Sequence, residues 1–132
     1  MVSHRSGVIA CCLLVLLSVA ACASGSQLMQ ANAQSLLSDA RDGALLADQI
    51  VRGRASAIFA RAHAQELQDD VNQAEQNFSD EELPGHERLQ QLADQLSSTL
   101  GSIVIQPADA STARHARTDL QQLSDKIARA AS

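Results

Sequence analysis

A chain of 132 residues holds enough apolar material for one domain, and here that material is aliphatic: there is no Trp or Tyr, and the two Phe are Phe59 and Phe78. Ala and Leu carry most of the apolar fraction, which favours helix over pleated sheet and predicts an all-α fold. The formal charge of −5 excludes a nucleic-acid binder, which needs surplus Lys and Arg to neutralise phosphates, and the sequence offers no polybasic run for anionic lipid.

Met1 to Gly7 carry His4 and Arg5 and lead into an apolar run, Val8 to Val19, interrupted by Ser18. This is the short basic region and apolar core of an export signal, and it falls short of the roughly 20 apolar residues that a membrane-crossing helix needs. It ends Leu17-Ser18-Val19-Ala20-Ala21-Cys22. That ending resembles the processing box of bacterial lipoproteins, in which a branched apolar residue and two small ones precede the cysteine to be modified. The resemblance covers residues 1–22 and implies diacylglycerol on the Cys22 sulfur, cleavage between Ala21 and Cys22, and often acylation of the new amino group. Two or three acyl chains hold a protein stably where one holds it marginally. The alternatives are an ordinary secretory signal cleaved near Ala21-Cys22-Ala23 and an uncleaved anchor helix. The chain then divides into a signal peptide at 1–21, a lipidated tether at 22–26 containing Ser24-Gly25-Ser26, and a helical domain at 27–132. Ala23 stands where retained inner-membrane lipoproteins commonly carry Asp, which implies outer-membrane sorting if the host has two membranes. Cys11, Cys12 and Cys22 are the three cysteines, so the mature domain has no disulfide framework and depends on helix packing, a partner or its tether.

From Gln27 to Phe78 there is no proline, and Gly43, Leu46, Ile50, Gly53, Ala57, Ala60, Ala64, Leu67, Val71, Ala74 and Phe78 recur at alternating spacings of three and four. This is a packing seam, and it predicts a long first helix over 27–78, with Gly53 marking a bend or a close helix contact. A second stripe, Leu36, Ala40, Ala44, Ala47, Val51, Ala55, Ile58 and Ala62, widens the apolar face over the first half. Pro84-Gly85 is the strongest turn signal, after which the chain reverses. A second helix over His86 to Leu100 presents Leu89, Leu92, Leu96 and Leu100, and residues 102–106 read as a helix end or buried connector. Pro107-Ala108-Asp109 opens a third helix with Ala113, Ala116, Leu120, Leu123, Ile127 and Ala130 on one stripe. The expected fold is a long N-terminal helix packed against two shorter ones, as an antiparallel hairpin or a bundle of three helices, or four if the first breaks.

Catalytic chemistry has little to work with. His63, His86 and His115 lie far apart, and no two stand at the spacing that puts two imidazoles on one metal. His115 and Asp119 are one turn apart, as ordinary surface contacts are. No free thiol survives lipidation of Cys22, the serines lack a nearby histidine, and there is no glycine-rich phosphate loop. A non-enzyme without cofactor or metal is expected. Glu66, Asp69, Asp70, Glu75, Asp80, Glu81, Glu82 and Glu87 follow one another with no Lys or Arg among them until Arg88. The bland reading is a solvated helix end and loop; the sharper one is an acidic partner surface, placed by a simple hairpin at the end farthest from the anchor.

The residues therefore lead to a lipid-anchored helical protein of the bacterial envelope, facing outside the cytoplasm, that binds another envelope component or self-associates. The width of the apolar stripe over 36–58 motivates a protein partner or homo-oligomer, because two short helices are a small cover for it. A carrier or sensor holding a small apolar ligand between its helices is the alternative.

Overall fold

Alanine- and leucine-rich stretches free of proline form four helices in the computed structural model: α1 Ser3–Val51, α2 Ala57–Ser79, α3 His86–Ile105 and α4 Ala110–Ala131. The backbone is described for residues 3–79 and 85–132, and side chains for residues 27–78 and 85–132; the Cys22 side chain and the residues Asp80, Glu81 and Glu82 lie outside them. There is no strand among the described residues. α1 packs chiefly on α4 and α2 chiefly on α3, while α3 against α4 and α1 against α2 close the square. Successive helices run up, down, up and down, the arrangement that short connections impose on a four-helix bundle.

The long first helix expected over 27–78 is two helices. α1 ends at Val51 through a pair of backbone bonds, from Gly53 N to Ile50 O at 3.0 Å and from Arg54 N to Gln49 O at 2.8 Å. This is the Schellman arrangement, which closes orphan carbonyls by turning one residue left-handed. Gly53 is that residue, with φ of +66°. Ser56 then caps α2, its Oγ accepting from Phe59 N at 3.2 Å. A Cβ on Gly53 would meet nothing within 4 Å, so Gly53→Ala tests the backbone alone. It is expected to cost about 1 kcal/mol in urea unfolding, and Gly53→Asn less, because Asn tolerates the left-handed region better.

The break leaves the seam intact on both sides. Leu46, Ile50, Ala60, Ala64, Leu67, Val71, Ala74 and Phe78 are buried, while Gly53 and Ala57 fall at the turn and are exposed. Leu89, Leu92, Leu96 and Leu100 of α3 and Ala113, Ala116, Leu120, Leu123 and Ile127 of α4 complete the core. Three helices meet at Gly43: a Cβ there would stand 2.9 Å from Leu100 Cδ2 and 3.2 Å from Leu120 Cδ1, so the missing side chain lets α3 and α4 close on α1. α3 continues past Gly101 to Ile105, with Ile103 buried and Ile105 exposed, and ends on Gln106. Asp109 caps α4 by accepting from Thr112 N at 2.7 Å.

Breaking at 52–56 also changes what the apolar stripe needs. Leu36, Ala40 and Ala47 are buried and Ala44 and Val51 are half-buried, with α4 the chief neighbour of α1 and α2 folded back beside it, while Ile58 and Ala62 of the same stripe, now on α2, are exposed. The stripe over α1 is thus largely covered within the chain.

The acidic stretch also runs toward the opposite end of the bundle from the one a simple hairpin predicts. Met29, Gln30 and Ala33 of α1 line one groove with Gly85, Leu89 and Ala130. The start of α3 therefore lies at the end where α1 enters the bundle, and the acids of α2 lead toward that end instead of the opposite one. The physical reason is the extra reversal at Gly53. α1 runs helically through residues 22–26, where Ser24-Gly25-Ser26 predicts a flexible tether.

Candidate functional site

The far end of the bundle is closed by four chain segments: the last turn of α1, the start of α2, the last turn of α3 and the start of α4. Two polar ties draw them together. Arg61 Nε donates to Val104 O at 3.2 Å, joining α2 to α3. Arg117 Nη1 donates to Asp48 Oδ1 at 2.9 Å, joining α4 to α1, and Arg52 Nε meets Asp48 Oδ2 at 2.7 Å. The Arg117 hydrogen bond, aided by the Arg52 charge, holds the Asp48 carboxyl below its ordinary range.

These segments gather Arg52, Arg54, Arg61, Arg114 and Arg117 at one end, with Asp48 and Asp109 as acids among them. No run of the sequence shows this cluster, because its members are separated by up to 65 positions, from Arg52 to Arg117, and meet only when four helix ends converge. Large apolar side chains stand out from the same end. Ile58 is 85% exposed and Ile105 76%, and Leu45 and Phe59 are exposed beside them. Phe59 stacks on His63 with ring centroids 5.6 Å apart, and with Leu45, Leu46 and Gln49 it lines a groove of about 230 Å³ between α1 and α2. On the other side of Leu45, Asp48, Arg52 and Arg117 border an open groove of about 470 Å³ between α1 and α4.

The acidic residues singled out from the sequence are distributed along α2. Glu66 is exposed and lies 3.5 Å from His63 Nδ1. Asp69 and Asp70 are exposed, and Asp70 bears on the buried Asp39 of α1. Glu75 faces Asp94 of α3, and burial together with the Asp94 carboxyl raises its pKa. The far end therefore gathers five arginines against Asp48 and Asp109, while Asp69, Asp70 and Glu75 lie along α2 toward the other end, where Arg88, Lys126 and Arg129 also stand. The histidines remain apart: His63 pairs with Phe59 and Glu66, and His115 Nδ1 contacts Ser111 O at 2.9 Å. No three His, Cys, Asp or Glu side chains among the described residues are grouped to hold a metal ion.

Sequence reasoning missed the arginine end. The available signal was Gly53 followed three residues later by Ser56, a helix stop and start that turns Arg52, Arg54 and Ile58 from mid-helix residues into tip residues.

The fold and the geometry of this end define the class: an all-helical, up-and-down four-helix bundle with an apolar, basic tip. Comparison with protein-family models, with curated proteins and with solved structures finds no match. Among the described residues no helix is long and apolar enough to cross a membrane.

Proposed function

We propose that this is a lipid-anchored, non-catalytic protein of the bacterial envelope, held at a membrane by acyl chains on Cys22, that engages another envelope component through the far end of its bundle. The observation that carries the binding half of this reading is the tip itself, where Ile58 and Ile105 stand exposed among arginines drawn from four segments. Soluble proteins rarely leave large apolar side chains together in a charged frame without a use for them. The anchoring half rests on the residues around Cys22 and is compatible with a bundle that has no spanning helix among its described residues.

The signal, the cysteine and the bundle then have one division of labour. Acyl chains supply stable membrane affinity at the end where α1 begins, whatever the net negative charge of the body. The continuous helix of α1 carries that anchorage into the core, and the reversal at Gly53 presents the tip away from it. Cys22→Ser is expected to leave the export signal uncleaved by the lipoprotein route and to remove the acyl mass from the mature protein. Cell fractionation with mass spectrometry checks this: parent protein in the membrane fraction with a diacylated or triacylated N-terminus supports the reading. An unmodified Cys22 thiol, or the same membrane fractionation for the serine variant with no acyl mass in either, overturns it.

A further inference from the structure

We propose that the arginine-rich tip docks on the surface of an anionic phospholipid bilayer, so that the protein bridges the membrane holding Cys22 to a second one. The inference rests on the anchor reading for one end of the bridge and on the tip geometry for the other.

The tip has the two components that interfacial membrane binding requires. Arg54 and Arg114 are exposed and neither hydrogen-bonds an acid among the described residues; Asp109 lies within electrostatic reach of Arg114, and Arg61 spends its Nε on a backbone carbonyl, so positive charge remains in excess at the tip. Guanidinium groups meet phosphate oxygens through two parallel hydrogen bonds, and each basic side chain near an anionic surface adds to the attraction. Ile58 and Ile105 project outward from helix ends and can enter the boundary between headgroups and acyl chains, as apolar residues flanked by basic ones do. A polyanion in solution would satisfy the arginines and leave both isoleucines in water. A protein partner would need a pocket shaped for each of them, whereas a bilayer accepts single projecting side chains without one.

Charge and distance fix the orientation. The carboxylates along α2 lead away from the tip and are repelled by an anionic surface, so the tip is the end that approaches. Helix α1 is continuous from residue 22 to Val51, which sets the tip about 44 Å along the helix axis from Cys22. With α1 standing along the membrane normal, that reach holds the tip clear of the bilayer that carries the anchor, and the second surface belongs to another membrane.

The test uses the full lipidated protein purified from membranes and reconstituted in phosphatidylcholine vesicles. Fluorescent vesicles containing phosphatidylglycerol are then offered, and co-flotation is measured. Capture is expected for the anionic vesicles, about tenfold or more above capture of labelled phosphatidylcholine vesicles, and it is expected to weaken as salt is raised. The double variant Arg54→Glu, Arg114→Glu is expected to lose that excess while keeping its helical circular dichroism. Ile58→Ser with Ile105→Ser, at two exposed positions whose change leaves the core alone, is expected to lower capture at every salt concentration. Protein retained on the first vesicles with no preference for the anionic ones, or with capture unchanged in both variants, overturns the docking proposal. Retention without capture, joined to a cross-link from position 58 to a protein in cells, assigns the surface to that protein instead. Loss of the protein from the first vesicles overturns the anchor reading and the bridge with it.

Discussion

Leu100→Ala is expected to lower the free energy of unfolding by about 3–4 kcal/mol, a large fraction of the roughly 5–15 kcal/mol by which a folded domain is stable. Leu100 is fully buried, and its Cδ2 lies against the bare backbone of Gly43 on α1, beside Leu120 of α4. Truncation removes apolar atoms from a junction of three helices and leaves a cavity that rigid helices cannot collapse to fill. For a domain of this size the loss corresponds to a fall in melting temperature on the order of 4–8 °C per kcal/mol, so the variant is expected to melt well below the parent. Circular dichroism at the helical band is the suitable probe, since the chain has no Trp or Tyr to report by fluorescence.

The same junction supplies a control. In the parent, Gly43→Ala forces a new methyl to within 2.9 Å of Leu100 Cδ2, and that crowding offsets the roughly 1 kcal/mol that Ala gains over Gly in helix propensity. In the Leu100→Ala background the nearest crowding atom is gone, and only Leu120 Cδ1 at 3.2 Å has to give by a few tenths of an ångström. Gly43→Ala is then expected to recover about 1 kcal/mol or more, and the double-mutant cycle is expected to show coupling of that order. Additivity within error would mean that α1 and α3 do not meet at Gly43.

Asp39→Asn is expected to stabilise the protein at neutral pH and to do so less as the solution is acidified. Asp39 is 7% exposed, and its Oδ2 has no hydrogen-bond partner. Burial first, then the charges of Asp70 on α2 and Asp42 one turn away, push its pKa from 3.8 to about 6. A carboxyl that binds its proton more tightly in the folded chain than in the unfolded one favours folding when protonated. Its contribution is complete below about pH 4 and is lost as pH rises through about 6, by about 3 kcal/mol in all.

Asn cannot ionise, so the comparison isolates this group. The difference in urea-unfolding free energy between Asp39→Asn and parent is expected to rise by about 2–3 kcal/mol between about pH 3.5 and about pH 7, most of it between the ordinary value of 3.8 and the raised value of about 6. The lowered carboxyls Asp48 and Asp109 pull the other way, losing stability as pH falls, but they are common to both proteins and cancel. A difference that is flat with pH would show that Asp39 is solvated in the folded protein. Retaining a buried, unpaired acid beside Asp70 costs stability at the pH where Asp39 is charged.

The core is legible in the residues without the fold. Spacing alone assigns the seam through Leu46, Ile50, Ala60, Ala64, Leu67, Val71, Ala74 and Phe78 and the stripes of α3 and α4, and all those residues are buried except Ala130, which is half-buried. Periodicity succeeds there because a buried face must repeat with the helix itself, whichever neighbours cover it. The same regularity conceals the break: a turn that inserts at Gly53 keeps the three-and-four spacing on either side, so the pattern reads as one rod. The punctuation is present in Gly53 and Ser56, but a glycine inside an alanine-rich stripe has two meanings, a close contact or a left-handed stop. Gly43 has the first and Gly53 the second.

Composition and spacing determined that the chain is helical, that its core is aliphatic apart from Phe78 and holds no cysteine among the described residues, and which side chains fill that core. Only the tertiary structure decided which ends lie together. It moved the acids toward the end where α1 enters, assembled Arg54, Arg61 and Arg114 with Ile58 and Ile105 at the other, and set Asp39 against Asp70. The reason is that a helix repeat constrains each residue's face through its nearest neighbours along the chain, whereas the end at which a residue lies depends on how many times the chain has reversed before reaching it. One reversal at Gly53, which the sequence left open between a bend and a close contact, exchanges the two ends for everything that follows.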